Sequence, residues 1–366
     1  MYQQYFAEQA EQASLETMQY QLNRMIQIAG EVQQTHRLSL ESASFIQDLP
    51  EDLLPADAKR CLSQESIAES FKSALQRVID AVVKLWGRVV EWTQKLFGRR
   101  VEDAEKTKEQ ADKVEEALDE AIRRQTAEAQ KHSDDIDKWH KQYEVKKNPT
   151  ATADEQLARA STRFTEVVMH NAGPAKGMRV IYTRLPGLIA TLKSDCQTIA
   201  KAVHDPQSTD VGVNKRVFFE AARELSSITG ANAHSGDDVA KMFLGDLRQC
   251  INTPSNVKLK LKDAEKDHYT ENFTQAANFV VKNRTIPDDL KAINVIVEGI
   301  RNDYAKYRSS SDQQTLEKNN MRDKFLVSAL NDLREHFAMV QKLMEAVFHA
   351  QKAEQRVIDA LVAAIE

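Results

Sequence analysis

Glycine and proline are scarce in this chain, at 11 and 8 positions out of 366. Together they fill about 5% of the sequence, against roughly 12% in average usage. A doubly wound α/β enzyme or a β-sandwich needs many glycine-bearing turns, so both are disfavoured. Cysteine is limited to Cys61, Cys196 and Cys250, an odd number, far apart and in no metal-type spacing. That usage supports no disulfide framework and suits a reducing compartment. No apolar run approaches the roughly 18 residues a membrane span needs. The opening MYQQYFAEQAEQ lacks a basic segment followed by an apolar one, so no secretory leader is expected. Excess positive charge is missing too: the net charge is −5, which argues against a bulk DNA condenser. No G-x-G-x-x-G, G-x-x-x-x-G-K-[ST], G-x-S-x-G or H-E-x-x-H motif occurs, and no nucleophile, base and orienting group gather in sequence. No enzyme activity and no cofactor are therefore expected.

Helix-propagating residues dominate instead: Ala, Glu, Gln, Lys, Arg and Leu. The expected fold is all-α, an elongated multi-helix bundle with long helices and a charged antiparallel helical hairpin. Four segments follow from pattern changes. Residues 1–37 form an N-terminal helix whose Leu15, Met18, Leu22, Met25, Ala29 and Val32 trace a 3,4 seam. Residues 38–66, with Pro50, Pro55 and many Ser and Glu, read as a linker. Residues 67–172 hold an amphipathic helix followed by the charged hairpin, with its turn at 148–152 and its return arm near 153–171. Residues 173–366 form a C-terminal helical bundle, with helices near 178–203 (kinked at Pro186-Gly187), 212–228, 236–251, 270–283, 287–308 and 312–364. The alternating stretch 256–261 fits an edge strand, but a strand without a partner does not stand alone.

The stretch 66–98 carries the strongest pattern. Ser66 and Glu69 fit a capping box before an apolar run. At 100° per residue, Phe71, Val82, Leu85, Trp86, Val89, Leu96 and Phe97 fall on one broad apolar face, with Trp92 adding large apolar area. Arg77, Lys84, Arg88 and Lys95 lie opposite. Between Phe71 and Arg100 the net charge is +5, in a chain whose total is −5. Gly98 is expected to end this helix. So broad an apolar arc must be covered. Three readings stand: burial inside the protein, insertion into a membrane interface with the basic side toward anionic headgroups, or docking in a partner's groove.

Metal ligation has weaker candidates. Glu166 with His170, and Glu345 with His349, are i, i+4 pairs that each share a helix face. Di-iron bundles use Glu-x-x-His, one residue shorter. A surface Glu–His contact, or a histidine at a helix edge, explains either pair better, so no metal is expected.

The segment FKSALQRVIDAVVKLWGRVVEWTQKLFGRR, with the Ser/Glu-rich stretch before it, resembles internal head proteins and other virion structural proteins of large tailed bacteriophages, over about residues 39–100. The shared features are a Ser/Glu-rich linker and a helix of the type Val-x-x-Leu-Trp-x-x-Val-Val-x-Trp, here Val82 to Trp92. Those proteins end this helix in Lys-x-Leu-Phe, whereas Lys95-Leu96-Phe97 lacks the spacer. The resemblance implies a non-enzymatic component of the virion interior, made in the host cytoplasm and packaged with the genome. It implies protein partners in the particle, with homo-oligomers, genome association and membrane-surface contact as further options. It also implies cleavage by a prohead protease after Glu41, Glu65 or Glu69, where Ser39-Leu40-Glu41, Ser63-Gln64-Glu65 and Ile67-Ala68-Glu69 fit the pattern; Ser14-Leu15-Glu16 fits as well.

Overall fold

The computed structural model describes residues 2–35, 38–56, 59–60, 71–131, 173–204, 213–230, 235–252, 274–308 and 314–365. Among these residues the regular elements are all helices, as the breaker-poor composition requires. They are α1 (Tyr2–Thr35), α2 (Leu40–Asp48), α3 (Phe71–Lys131), α4 (Gly173–His204), α5 (Lys215–Thr229), α6 (Gly236–Asn252), α7 (Gln275–Lys282), α8 (Ile286–Arg308) and α9 (Gln314–Ile365). The return arm of the expected hairpin, its turn, the Ser66/Glu69 cap, the 256–261 stretch and the Glu166/His170 pair lie outside the described residues.

The chain divides into two compact units, each assembled from three stretches. The first comprises Met1–Phe97, Gly187–Phe219 and Thr285–Val340. The second comprises Gly98–Pro186, Glu220–Arg284 and Gln341–Glu366. In the first unit the seam of α1 is buried from Leu22 through Met25 and Ala29 to Val32, as its spacing predicts. It meets α9, where Arg334 donates to Asn23 Oδ1 at 3.3 Å. In the second unit α3 presents the thin stripe Ala104, Thr107, Ala111 and Val114, all buried. Small side chains there admit close approach of α9, and Gln355 bridges to Thr107 and to Gln110.

Gly98 does not end α3, which continues to Lys131. A glycine stops a helix when it takes a left-handed φ. Among the described glycines only Gly230 does so, at +69°, just past α5. Elsewhere a lone glycine costs about 1 kcal/mol relative to alanine, which the strong helix formers on both sides absorb. Likewise α4 runs through Pro186, leaving the Tyr182 carbonyl without its usual donor.

Residues 38–56 are not a free linker. Ser39 caps α2, its hydroxyl accepting from Ser42 N at 3.2 Å, with Glu41 in the first turn where the helix dipole favours an acid. Beyond α2, Leu49, Leu53 and Leu54 are buried. The polar composition of the stretch obscured these three anchors. Asp52 then ties it to α3 by an ion pair with Arg88, and the Arg88 guanidinium lowers the Asp52 pKa. Glu41 stands in this capped helix, paired with Arg24 at 3.0 Å. Glu65 and Glu69 lie outside the described residues.

Candidate functional site

The apolar face of α3 between Val78 and Phe97 forms core of the first unit. Val82, Leu85, Trp86, Val89 and Phe97 are at most 1% exposed. Trp86 stacks on Phe337 of α9, with ring centroids 4.7 Å apart and planes 29° apart. Trp92 and Leu96 are half-buried at the edge of this face. Phe71 starts the helix, and its side chain lies outside the described set. The opposite face carries the charges as expected: Lys84 and Lys95 are exposed, Arg77 and Arg88 half-buried. Two polar side chains hold α3 to α8. Asp80 accepts from Arg301 Nε at 3.0 Å, and Gln94 donates to the Pro287 carbonyl at 3.1 Å. Of the side chains put forward for a membrane or partner groove, Val82, Leu85, Trp86, Val89 and Phe97 are thus covered by the chain's own helices. Among the described residues, no helix is long and apolar enough to cross a membrane.

Glu345 and His349 do share a face of α9, but a cation stands between them. Arg248 of α6 donates to His349 Nε2 at 3.0 Å and to Glu345 Oε2 at 3.3 Å, and Lys342 also reaches Glu345 at 3.3 Å. Burial and the nearby Arg248, Lys352, Arg100 and Arg356 push the His349 pKa down to about 3. The imidazole is neutral and accepts a hydrogen bond, while the carboxylate is consumed by two bases. Among the described residues, no three His, Cys, Asp or Glu side chains gather as a metal group.

Two further polar arrangements went unnoticed in the sequence. In the second unit Glu354 of α9 is 2% exposed, and its carboxylate accepts from Ala276 N at 2.8 Å and Ala277 N at 3.0 Å. It caps α7, whose own N-cap residue Thr274 makes no side-chain cap. Burial raises Glu354 to about 8, against the lowering effect of those amides. Tyr182 is raised well above its usual range by burial and by the Glu354 charge.

In the first unit Asp195 of α4, Phe218 of α5 and His336 of α9 meet. Asp195 Oδ1 accepts from Asn214 N, at the entrance to α5, at 3.1 Å. The His336 ring lies flat on Phe218, centroids 3.7 Å apart and planes 2° apart. Asp195 Oδ2 faces His336 Nδ1 across 3.8 Å. Beside them the Cys196 thiol is pushed up to about 12 by burial and by Asp195, so it is held protonated and unreactive.

Comparison with protein-family models, curated proteins and solved structures gives no match. The signal that could have found Glu354 and His336 was present: each is a titratable residue set in the apolar periodicity of α9. Their partners lie from about 80 to 140 residues away in sequence and follow from no spacing rule. Asp195 and Glu354 are the best-built polar features, and each secures the start of another helix.

Proposed function

We propose that this chain is a non-enzymatic structural protein of a large tailed bacteriophage, an internal head component packaged with the genome. The reading rests on the resemblance over residues 39–100. One structural observation favours it over the membrane-anchor reading: the tryptophan-bearing face of α3 is spent inside the protein, with Trp86 1% exposed. What the helix offers outward is charge. From Glu102 to Glu120 the exposed side chains of α3 include Glu102, Glu105, Lys106, Glu109, Asp112 and Lys113. A rigid scaffold with a mixed-charge exterior makes contacts that are electrostatic and weakened by salt.

The test is location. Particles purified by density gradient, treated with protease while intact and then opened, should yield peptides of this protein by mass spectrometry. Peptides confined to the infected-cell lysate, and missing from purified particles, would remove the reading. Cleavage during maturation has its own readout: an N-terminus starting after Glu41, Glu65 or Glu69 in particle-derived protein.

A further inference from the structure

We propose that Asp195 and His336 form an acid-operated release for the first turn of α5. This turn is held from two sides, and both holds are protonatable. Asp195 Oδ1 accepts the Asn214 amide at 3.1 Å, closing the entrance of the helix. The His336 ring stacks on Phe218 at 3.7 Å. The remaining atoms of the two groups, Asp195 Oδ2 and His336 Nδ1, face one another across 3.8 Å, and neither has a hydrogen-bond partner among the described residues. That gap is too long for a hydrogen bond, and it leaves no room for a water between them.

The surroundings decide what an added proton does. His336 faces Asp195 from α4, Lys215 from α5, and Asp332 on its own helix; Phe218 brings no charge. Asp332 is engaged by Lys215 at 2.8 Å. An imidazolium formed here repels Lys215 at the start of α5. Asp195 Oδ2, which has no hydrogen-bond partner among the described residues, faces the ring, and a carboxylate drawn toward the imidazolium leaves the Asn214 amide. Both displacements act on the same helical turn. Protonating Asp195 acts the other way: burial raises its pKa, so the closed turn holds that proton more tightly, and the release belongs to His336. Burial pushes His336 down to about 4, with Asp332 opposing the shift and Lys215 adding to it, so the device is set at neutral pH and opens on acidification.

The experiment is amide hydrogen exchange on the full chain at pH 7 and pH 5, expressed as protection factors, for the wild type, His336→Phe and Asp195→Asn. Protection over residues 214–219 should fall about tenfold or more in the wild type at pH 5, while the core of α1 keeps its own. His336→Phe retains the stack without a titratable group and should lose the pH response. Asp195→Asn should lower protection already at pH 7. Unchanged protection of 214–219 at pH 5, a rise caused by tightening of the pair, or an equal loss in His336→Phe would overturn the proposal. Should His336→Phe not fold, the imidazole resonance of His336 in the wild type decides: titration near or above 6.5 refutes the device.

Discussion

Gly98 and Gly177 lie inside long helices, yet they respond to a methyl group in opposite ways. A Cβ at Gly98 would meet nothing within 4 Å, whereas one at Gly177 would sit 2.1 Å from Phe243 Cε2. Gly98→Ala should stabilise the protein by about 0.5–1 kcal/mol, through lost freedom in the unfolded chain and better helix propensity. Gly177→Ala should destabilise it by about 1–3 kcal/mol, because the fully buried Phe243 ring must move. Urea denaturation of both variants measures the two signs side by side. Glu354 supplies a third single-residue expectation. Its pKa is raised to about 8 from 4.5, so its contribution is fully present below 4.5 and is lost as pH rises through 8. Glu354→Gln keeps one acceptor for the α7 amides and cannot ionise. Near pH 5 wild-type Glu354 is itself a neutral acid with one strong acceptor, so the two proteins should agree within about 1 kcal/mol. By pH 8.5 Glu354→Gln should be the more stable of the two in the same denaturation assay.

At the scale of the element, α3 shows most clearly what pattern can and cannot reveal. Its amphipathic face, its basic side and the thin seam from Ala104 to Val114 were legible, because periodicity records which side is apolar. What covers that side was not, since Phe337 and the α8 contacts lie about 190 to 250 residues away in sequence. The end of the helix is not legible at Gly98, because a glycine stop depends on a φ that sequence does not show. The anchors Leu49, Leu53 and Leu54 were hidden by the polar residues around them. Coverage of the face has a direct test. Trp86→Ser should cost about 3–5 kcal/mol, as expected for emptying a buried tryptophan site. Trp92→Ser, at a half-buried position, should cost markedly less. Liposomes containing anionic lipid should not float the folded wild type at low salt. Flotation that Trp86→Ser abolishes without unfolding the protein would contradict the packed arrangement.

For the whole molecule, acid is the expected weak point. Each unit holds a neutral histidine, His336 buried in the first and lowered to about 4, His349 half-buried in the second and lowered to about 3. Unfolded, both titrate at the ordinary value of 6.5, so the unfolded chain binds more protons below that pH. Stability from these groups is present above 6.5 and is lost as pH falls toward 4 and then 3. The shift at His336 alone corresponds to roughly 3 kcal/mol once the pH is below 4. Asp195, raised by burial, offsets a part of this at the acid end. The denaturation midpoint should therefore drop between pH 6.5 and 4 in the wild type, and drop less in His336→Gln.

The interleaving of the two units has a consequence for how the protein comes into being. Neither unit is encoded as a continuous run: the first is incomplete until Val340 has been made, and the second awaits residues beyond Gln341. A ribosome thus releases about 340 residues before either hydrophobic centre can close. The nascent α3 apolar face must wait some 250 codons for Phe337. During that wait it is uncovered hydrophobic surface, the kind that drives misassembly.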